Sequence, residues 1–275
     1  MNRGNVTLAG SLGDETEAEV LIKGELTLRG RLLPASNLTF FGEVGFGDST
    51  LECVYKPIEG ERSLWDFPDG TLAAREVAAY LVSEALGWDL VPTTVLGDGP
   101  AGAGMLQVWQ EPDRKQDPVD IVPTGSVPTG YLHVLDAVDG EAQPVSLVHE
   151  DSVPLRRMAV FDAVINNGDR KGGHVLAMRS GHRYGVDHGV SFHVDNKLRT
   201  VLWGWAGSPL DTDDAVALTG LLHDLGTDSE IAGRLSTLLD DDEMAEFRAR
   251  IQGLLSHRRM PLPSADWPSI PWPAF

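Results

Sequence analysis

The chain has 275 residues and carries 22 Lys and Arg against 41 Asp and Glu, a formal net charge of −19. That sign is wrong for wrapping nucleic acid or adhering stably to a membrane of anionic lipid, since both draw on a basic face. No run approaches the roughly 20 apolar residues that cross a bilayer, Met1-Asn2-Arg3-Gly4 leads into polar residues and not a signal-peptide core, and a lone cysteine, Cys53, excludes an internal disulfide or a multi-cysteine zinc site.

A cytoplasmic protein is expected, long enough for one large domain or two lobes sharing a cleft. Much of the acid lies at Asp14 to Glu19 and Asp240 to Glu243, which read as solvated surface. In chain order, residues 1–20 are a loose acidic lead-in. Short β-type runs follow at Glu25 to Gly30, Leu38 to Phe41 and Leu51 to Lys56, broken by Gly and Pro. Cys53 falls in the alternating Leu51-Glu52-Cys53-Val54-Tyr55 as a packed strand residue. Thr71 to Leu86 reads as one helix, capped by Asp69 or Thr71 and stopped by Gly87. Val91 to Leu96 and Met105 to Gln110 are two more strands, and the glycine-rich stretches 42–47 and 99–104 read as hairpin turns.

Glu111-Pro112-Asp113 opens a long irregular stretch with Pro118, Pro123 and Pro128, which places a lobe boundary there: 21–111 before it, 112–275 after. Beyond it a helix is expected over Ser152 to Asn166, capped by Ser152 or Asp151, and two or three more between Asp211 and Ser256. A glycine-studded β-type segment runs from Gly172 to Trp205. The tail, Pro261 to Phe275, has five prolines and two tryptophans and packs across the surface. The sum is an α+β arrangement with a small β-rich lobe and a larger, mainly helical one.

The densest polar cluster is Asn166-Asn167-Gly168-Asp169-Arg170-Lys171-Gly172-Gly173-His174, between an apolar helix and a β-type run, so its side chains sit on a loop held by rigid elements. Val186-Asp187-His188-Gly189 adds a second acid in a tight turn. Two such carboxylates can divide the work of phosphoryl transfer, one handling the attacking hydroxyl and one a metal that bridges the phosphates. Alternation points Lys56 inward at the end of its strand, and a buried lysine needs an anionic partner. Glu76, on the small-residue face of the next helix, can supply one.

Taken in order, Val54-Tyr55-Lys56-Pro57, Glu76, Asp169-Arg170-Lys171 and Asp187-His188-Gly189 resemble the phosphatidylinositol 3- and 4-kinase-like superfamily and its bacterial HipA-type relatives, most closely a mainly actinobacterial group of unassigned substrate. The resemblance spans about Leu26 to Trp205. It implies a two-lobed protein-kinase-like fold, ATP as cofactor, and Mg²⁺ or Mn²⁺. Lys56 would contact the α/β-phosphates with Glu76 positioning it, and Ser36 in the first turn would cover them. Gln107, Val108, Trp109, Gln110 and Glu111 would form the adenine-side hinge. Asp169 would be the catalytic acid/base, Lys171 would steady the γ-phosphate, and Asp187 would bind the metal. His174 stands where the family has a second metal-binding asparagine, and no Walker-type Gly-Lys-Ser/Thr loop occurs.

The function so implied is transfer of the γ-phosphate of ATP to a hydroxyl of a protein or small soluble molecule. Three alternatives stay open: a nucleotide-binding pseudokinase scaffold, transfer of AMP on the same fold, and a metal-dependent phosphohydrolase built on His174, Asp187, His188, His193 and Asp195.

Overall fold

A computed structural model describes residues 10–13, 15–33, 37–62, 64, 66–67, 71–226 and 228–275. Contacts divide the chain into two units, Met1–Tyr80 with Pro92–Glu111, and Leu81–Val91 with Pro112–Phe275. The protein is a mixed α and β structure, with a sheet-rich unit and a unit that carries most of the helices.

The first unit is an antiparallel sheet of β1 (Gly10–Ser11), β2 (Glu25–Arg31), β3 (Phe40–Phe46), β4 (Ser49–Pro57), β5 (Thr94–Gly99) and β6 (Gly102–Val108), ordered β2-β3-β4-β6-β5 with β1 on β4. Strand β4 alternates strictly: Ser49, Leu51, Cys53, Tyr55 and Pro57 are buried and the residues between them are not. Helix α1 (Glu17–Lys23) lays Val20 and Leu21 on this face, where they join Leu26, Val44, Val95 and Leu106 in one core. The expected loose lead-in is thus corrected over residues 15–20, while residues 1–9 lie outside the described residues. A capping box between Thr16 and Glu19 starts the helix, and Glu15 and Glu17 accept hydrogen bonds from Ser49 and Thr93. Residues 42–46 lie within β3, so only Gly47, at φ 59°, serves the expected turn.

Helix α2 (Leu72–Ala85) lies where the pattern places it, but its start differs. Asp69 falls outside the described residues, and Thr71 sits at φ 65°. The orphan N–H groups of Leu72 and Ala73 donate instead to the two carboxylate oxygens of Glu61, at 3.1 and 2.8 Å.

The second unit corrects the expected irregular stretch. Residues 119–150 form a three-stranded antiparallel sheet of β7 (Val119–Pro123), β8 (Tyr131–Val138) and β9 (Pro144–Glu150), ordered β7-β9-β8. The prolines sit where a missing N–H costs no ladder bond: Pro123 ends an edge strand and Pro144 opens the central one. Helix α3 (Val153–Ile165) follows, with Leu155, Met158, Phe161, Val164 and Ile165 buried on all sides. Ser152 precedes it without a side-chain cap bond. The expected β-type segment shrinks to a hairpin of β10 (Val175–Ala177) and β11 (Arg183–Gly185). Helices α4 (Thr212–Leu225), α5 (Glu230–Leu235) and α6 (Asp241–His257) complete the unit. In the second acidic cluster Asp240, Asp241 and Asp242 are exposed as expected, while Asp240 and Glu243 also form the capping box of α6 and Glu243 is buried. No helix among the described residues is long and apolar enough to cross a membrane.

His149 closes β9 onto the segment before α4. Its ring is fully buried against Trp205, Nδ1–H donates to the Glu150 carbonyl, and Nε2 accepts from the Gly204 N–H at 3.0 Å. Burial pushes its pKa below the ordinary value, over the opposing pull of the Glu150 backbone and the Asp151 carboxylate. The unfolded chain therefore binds this proton first. Stability falls as pH drops below about 6.5 and keeps falling toward the depressed folded value. Urea unfolding at stepped pH should show this slope, flattened in His149→Gln. For the first unit, Leu21→Ala should lower unfolding free energy by about 3 kcal/mol; a loss near zero would restore the loose lead-in.

Candidate functional site

The loop after α3 is built around one buried charge pair. Asn166 ends the helix in the left-handed region, at φ 54° and ψ 50°, a conformation asparagine tolerates better than other residues with a Cβ. Its side chain donates to the carbonyls of His193 and Asp195 and accepts from Lys197 N–H, which ties the turn to residues 193–197. Asn167 accepts from Asp169 N–H at 2.9 Å, an Asx turn that shapes the next two residues.

Arg170 and Asp162 lie at the centre, both with fully buried side chains. The Asp162 carboxylate accepts from Arg170 Nε and Nη2, Asn167 Nδ2 and Thr200 Oγ1, all at 2.9–3.1 Å. The rest of the guanidinium donates to the carbonyls of His174 and Val186 and to His188 Nε2 at 2.7 Å. Arginine only donates, so Nε2 is the acceptor and the His188 ring proton sits on Nδ1. Gly185 lets β11 pass over the guanidinium: a Cβ there would stand 2.9 Å from Arg170 Nη2. A buried pair is stable only when its lone pairs and protons are met, and here they are.

With Arg170 turned inward, its neighbours Asp169 and Lys171 turn outward, 3.2 Å apart and 29% and 22% exposed. Asp187 adopts φ 62° immediately before the anchored His188 and is half exposed. His174 Nε2 lies 3.4 Å from Asp187 Oδ2, and Nδ1 is buried with no acceptor or donor among the described residues. Burial lowers the His174 pKa, opposed first by Asp187 and then by Asp169, so the four residues share one electrostatic environment. An oxygen and a nitrogen donor at this spacing suit neighbouring ligands of one divalent cation.

The last residues of the chain support the loop. The carbonyl of Ala274 accepts from Gly172 N–H at 2.8 Å, and a Cβ at Gly172 would collide with the Phe275 ring. Ser269 accepts from Thr200 N–H and from Trp203 Nε1, and Lys197 lies 3.8 Å over Trp267.

The histidine-rich phosphohydrolase site is not assembled. His188 is committed to Arg170, His193 pairs with Asp195 at 3.9 Å, and among the described residues no group of three His, Cys, Asp or Glu side chains can hold a metal.

In the first unit, Lys56 Nζ lies 2.7 Å from Glu76 Oε1. Glu76 is buried, at 3% exposure, and Lys56 is 21% exposed. The facing of Lys56 needs correction, because alternation sends Tyr55 and Pro57 to the core while Lys56 occupies the opposite face of β4, where α2 brings Glu76. Within the hinge segment, Gln107 and Val108 belong to β6, which is bonded on both edges. Gln107 Nε2 donates to Thr94 inside the sheet, Val108 N–H to Thr93 and Trp109 N–H to Glu52. Trp109 also packs edge-on against Phe41, and its Nε1 reaches Glu111. Only Gln110 and Glu111 of the five lie beyond the ladder. Ser36 falls outside the described residues.

Sequence reasoning missed Asp162 and Thr200. Asp162 was signalled as the single carboxylate in the apolar run Ala159-Val160-Phe161-Asp162-Ala163-Val164, since such a residue is buried only with a partner. Thr200 gave no signal.

The class defined by these observations is a mixed α and β protein with a carboxylate-bearing loop clamped by a buried arginine. No protein-family model matches the chain. It is 52% identical over 279 aligned positions, 98% of both chains, to Protein Rv2133c of Mycobacterium tuberculosis, and it belongs to that protein's family. Among solved structures, the proinflammatory kinase CtkA of Helicobacter pylori aligns over 87% of this chain and 94% of its own, at 11% identity. A TM-score of 0.43 is too low for that alignment to fix a shared fold.

Arg170→Met should cost about 3–5 kcal/mol by leaving the Asp162 carboxylate buried and uncompensated. Chemical denaturation should show Asp162→Leu combined with Arg170→Met to be less harmful than Arg170→Met alone. Equal losses would mean that the pair is not the anchor of the loop.

Proposed function

We propose that the protein is an ATP-dependent phosphotransferase of the kinase-like class, of the kind to which the phosphatidylinositol-kinase-like and HipA-type enzymes belong. The observation that carries this reading is the ion pair of Lys56 on β4 with the buried Glu76 on α2, at 2.7 Å. A carboxylate buried to this degree needs a cation, and a strand lysine so tethered is held in one direction on a partly exposed side chain, the arrangement by which kinases aim an ammonium at phosphates. The loop and turn of the second unit carry carboxylates, a lysine and an imidazole of the types that the same chemistry uses.

In this reading Lys56 binds the α/β-phosphates and Glu76 fixes its direction. Gln110 and Glu111, beyond the β6 ladder, offer backbone groups to the adenine. Asp169 accepts the proton of the acceptor hydroxyl as its oxygen bonds to the γ-phosphorus and the bond to the departing ADP oxygen breaks. Lys171, 3.2 Å from that carboxylate, orients it and meets phosphate charge. Mg²⁺ or Mn²⁺ held by Asp187 and His174 would neutralise the phosphates, and the imidazole donor favours Mn²⁺. The buried Arg170 keeps the 169–171 loop and the 186–188 turn in register without touching substrate. The acceptor is a hydroxyl of a protein or small soluble molecule, which a net charge of −19 favours over an anionic lipid surface.

Calorimetry and thermal melting test the reading. ATP with Mn²⁺ or Mg²⁺ should raise the melting temperature by mass action, equivalent to about 2.7 kcal/mol at a hundred times Kd, and ATP alone should do less. Asp187→Ala should lose the metal-dependent part of binding, and Lys56→Met should weaken ATP in either condition. Asp169→Ala should keep binding and lose at least about a hundredfold in turnover. Absence of ATP binding at millimolar concentration with either metal sinks the proposal.

A further inference from the structure

Away from the 169–187 cluster, the second unit holds a cleft of about 570 Å³ between α6, the 194–198 segment and the beginning of the tail. Its volume is that of a small-molecule site. The lining is largely apolar, with Leu198, Trp203, Leu254 and Met260 in the wall. Val194 and Leu262 line it as well and are left 40% and 70% exposed, so the cleft retains apolar surface for an occupant to cover.

Its charge is opposite to that of the chain. Two guanidiniums, Arg250 and Arg259, face one carboxylate, Glu246, in a protein of net charge −19. Arg259 sits on the rim, pinned through one Nη1 bond to the Gly207 carbonyl at 2.7 Å, which holds the fork in place for a ligand. Arg250 is sunk in the wall, donating to the carbonyls of Val164 and His193, while its Nη2 is buried without an acceptor among the described residues. Burial pushes its pKa down to about 10, opposed by Glu246 and Glu243, so it stays a cation at neutral pH with its charge only partly offset.

We propose that this cleft is a binding site for a small amphipathic anion, an apolar body with a single carboxylate-type head, the body lying on Leu198, Trp203 and Leu254 and the head on Arg259, with Arg250 contributing its charge from the wall. The occupant is a small molecule with an anionic head: the cleft has a drug-sized volume, two guanidiniums face one carboxylate in its lining, and Arg250 Nη2 is buried without an acceptor among the described residues. The inference is independent of the phosphotransferase reading.

The test uses the full chain, with the aromatic sulfonate 8-anilinonaphthalene-1-sulfonate as fluorescent probe and decanoate, decan-1-ol and decylamine as competitors. One saturable probe site is expected, displaced by decanoate at concentrations at least about tenfold below those needed for the alcohol or the amine, the worth of one charge-assisted hydrogen bond. Arg259→Gln should erase most of that preference. Gly253→Leu is the steric control. Gly253 lines the cleft on α6 and a Cβ there meets nothing within 4 Å, so the variant should fold and melt like the parent while losing the probe. Probe binding retained by Gly253→Leu overturns the proposal, as does absence of a saturable site. Displacement by decylamine as strong as by decanoate overturns the anion assignment. An apolar peptide ending in a free carboxylate that displaces the probe where decanoate does not would make the occupant a polypeptide, against the proposal.

Discussion

The Asp162–Arg170 pair is the constraint on which the candidate site depends. Removing two full charges from water is expensive, and the structure offsets that cost only by meeting the lone pairs and N–H groups of both. The partners come from α3, the loop after it, the turn before β10, the turn after β11 and the segment at Thr200. None of these segments can shift without stripping a hydrogen bond from a buried ion. The exposed residues flanking the anchors, Asp169, Lys171 and Asp187, are held by that arrangement although they take no part in it.

Acid is used in a similar way elsewhere. Glu61 reaches across from the end of the β4 segment to the start of α2, while Thr16 with Glu19, and Asp240 with Glu243, close the starts of α1 and α6. Each places negative charge against the positive end of a helix, where it is locally favourable. A net charge of −19 is therefore partly a sum of structural fittings and not only a field presented to solvent.

Where a single pattern dominates, the sequence was legible. The alternation of β4, the 3.6-residue period of α2 and α3, and the pairing of Lys56 with Glu76 all follow from short-range rules and one charge argument. The facing of Lys56 was misjudged because a strand with two covered faces has two insides, and alternation alone does not say which one a lysine shares. The sheet at 119–150 was hidden by its prolines, which read as breaks but stand at strand ends. The acidic run at 240–242 is exposed as read, but the capping roles of Glu19, Asp240 and Glu243 were not legible, because capping is a matter of where a helix starts and boundaries are the weakest part of a sequence reading. In the loop, the outward residues were legible as chemistry-bearing types. The inward network was less so, since Thr200 joins Asp162 from 38 positions away.

The contact of the final residues with the loop has a consequence in time. Gly172 finds its backbone acceptor at Ala274, about a hundred positions later in the chain. At synthesis rates of about 5–20 residues per second, that partner emerges roughly 5–20 s after the loop does. Val186, His188 and Thr200 follow soon after the loop and complete the Arg170 network, whereas α3 waits for α6, and Gly172 N–H, Thr200 N–H and the Trp203 indole wait for residues 269–274. The nascent protein therefore passes through a stage with the Arg170 network able to form and the chemistry-bearing loop still unsupported on one side. Until residues 269–274 are in place, the loop has its buried anchor and lacks its outer support.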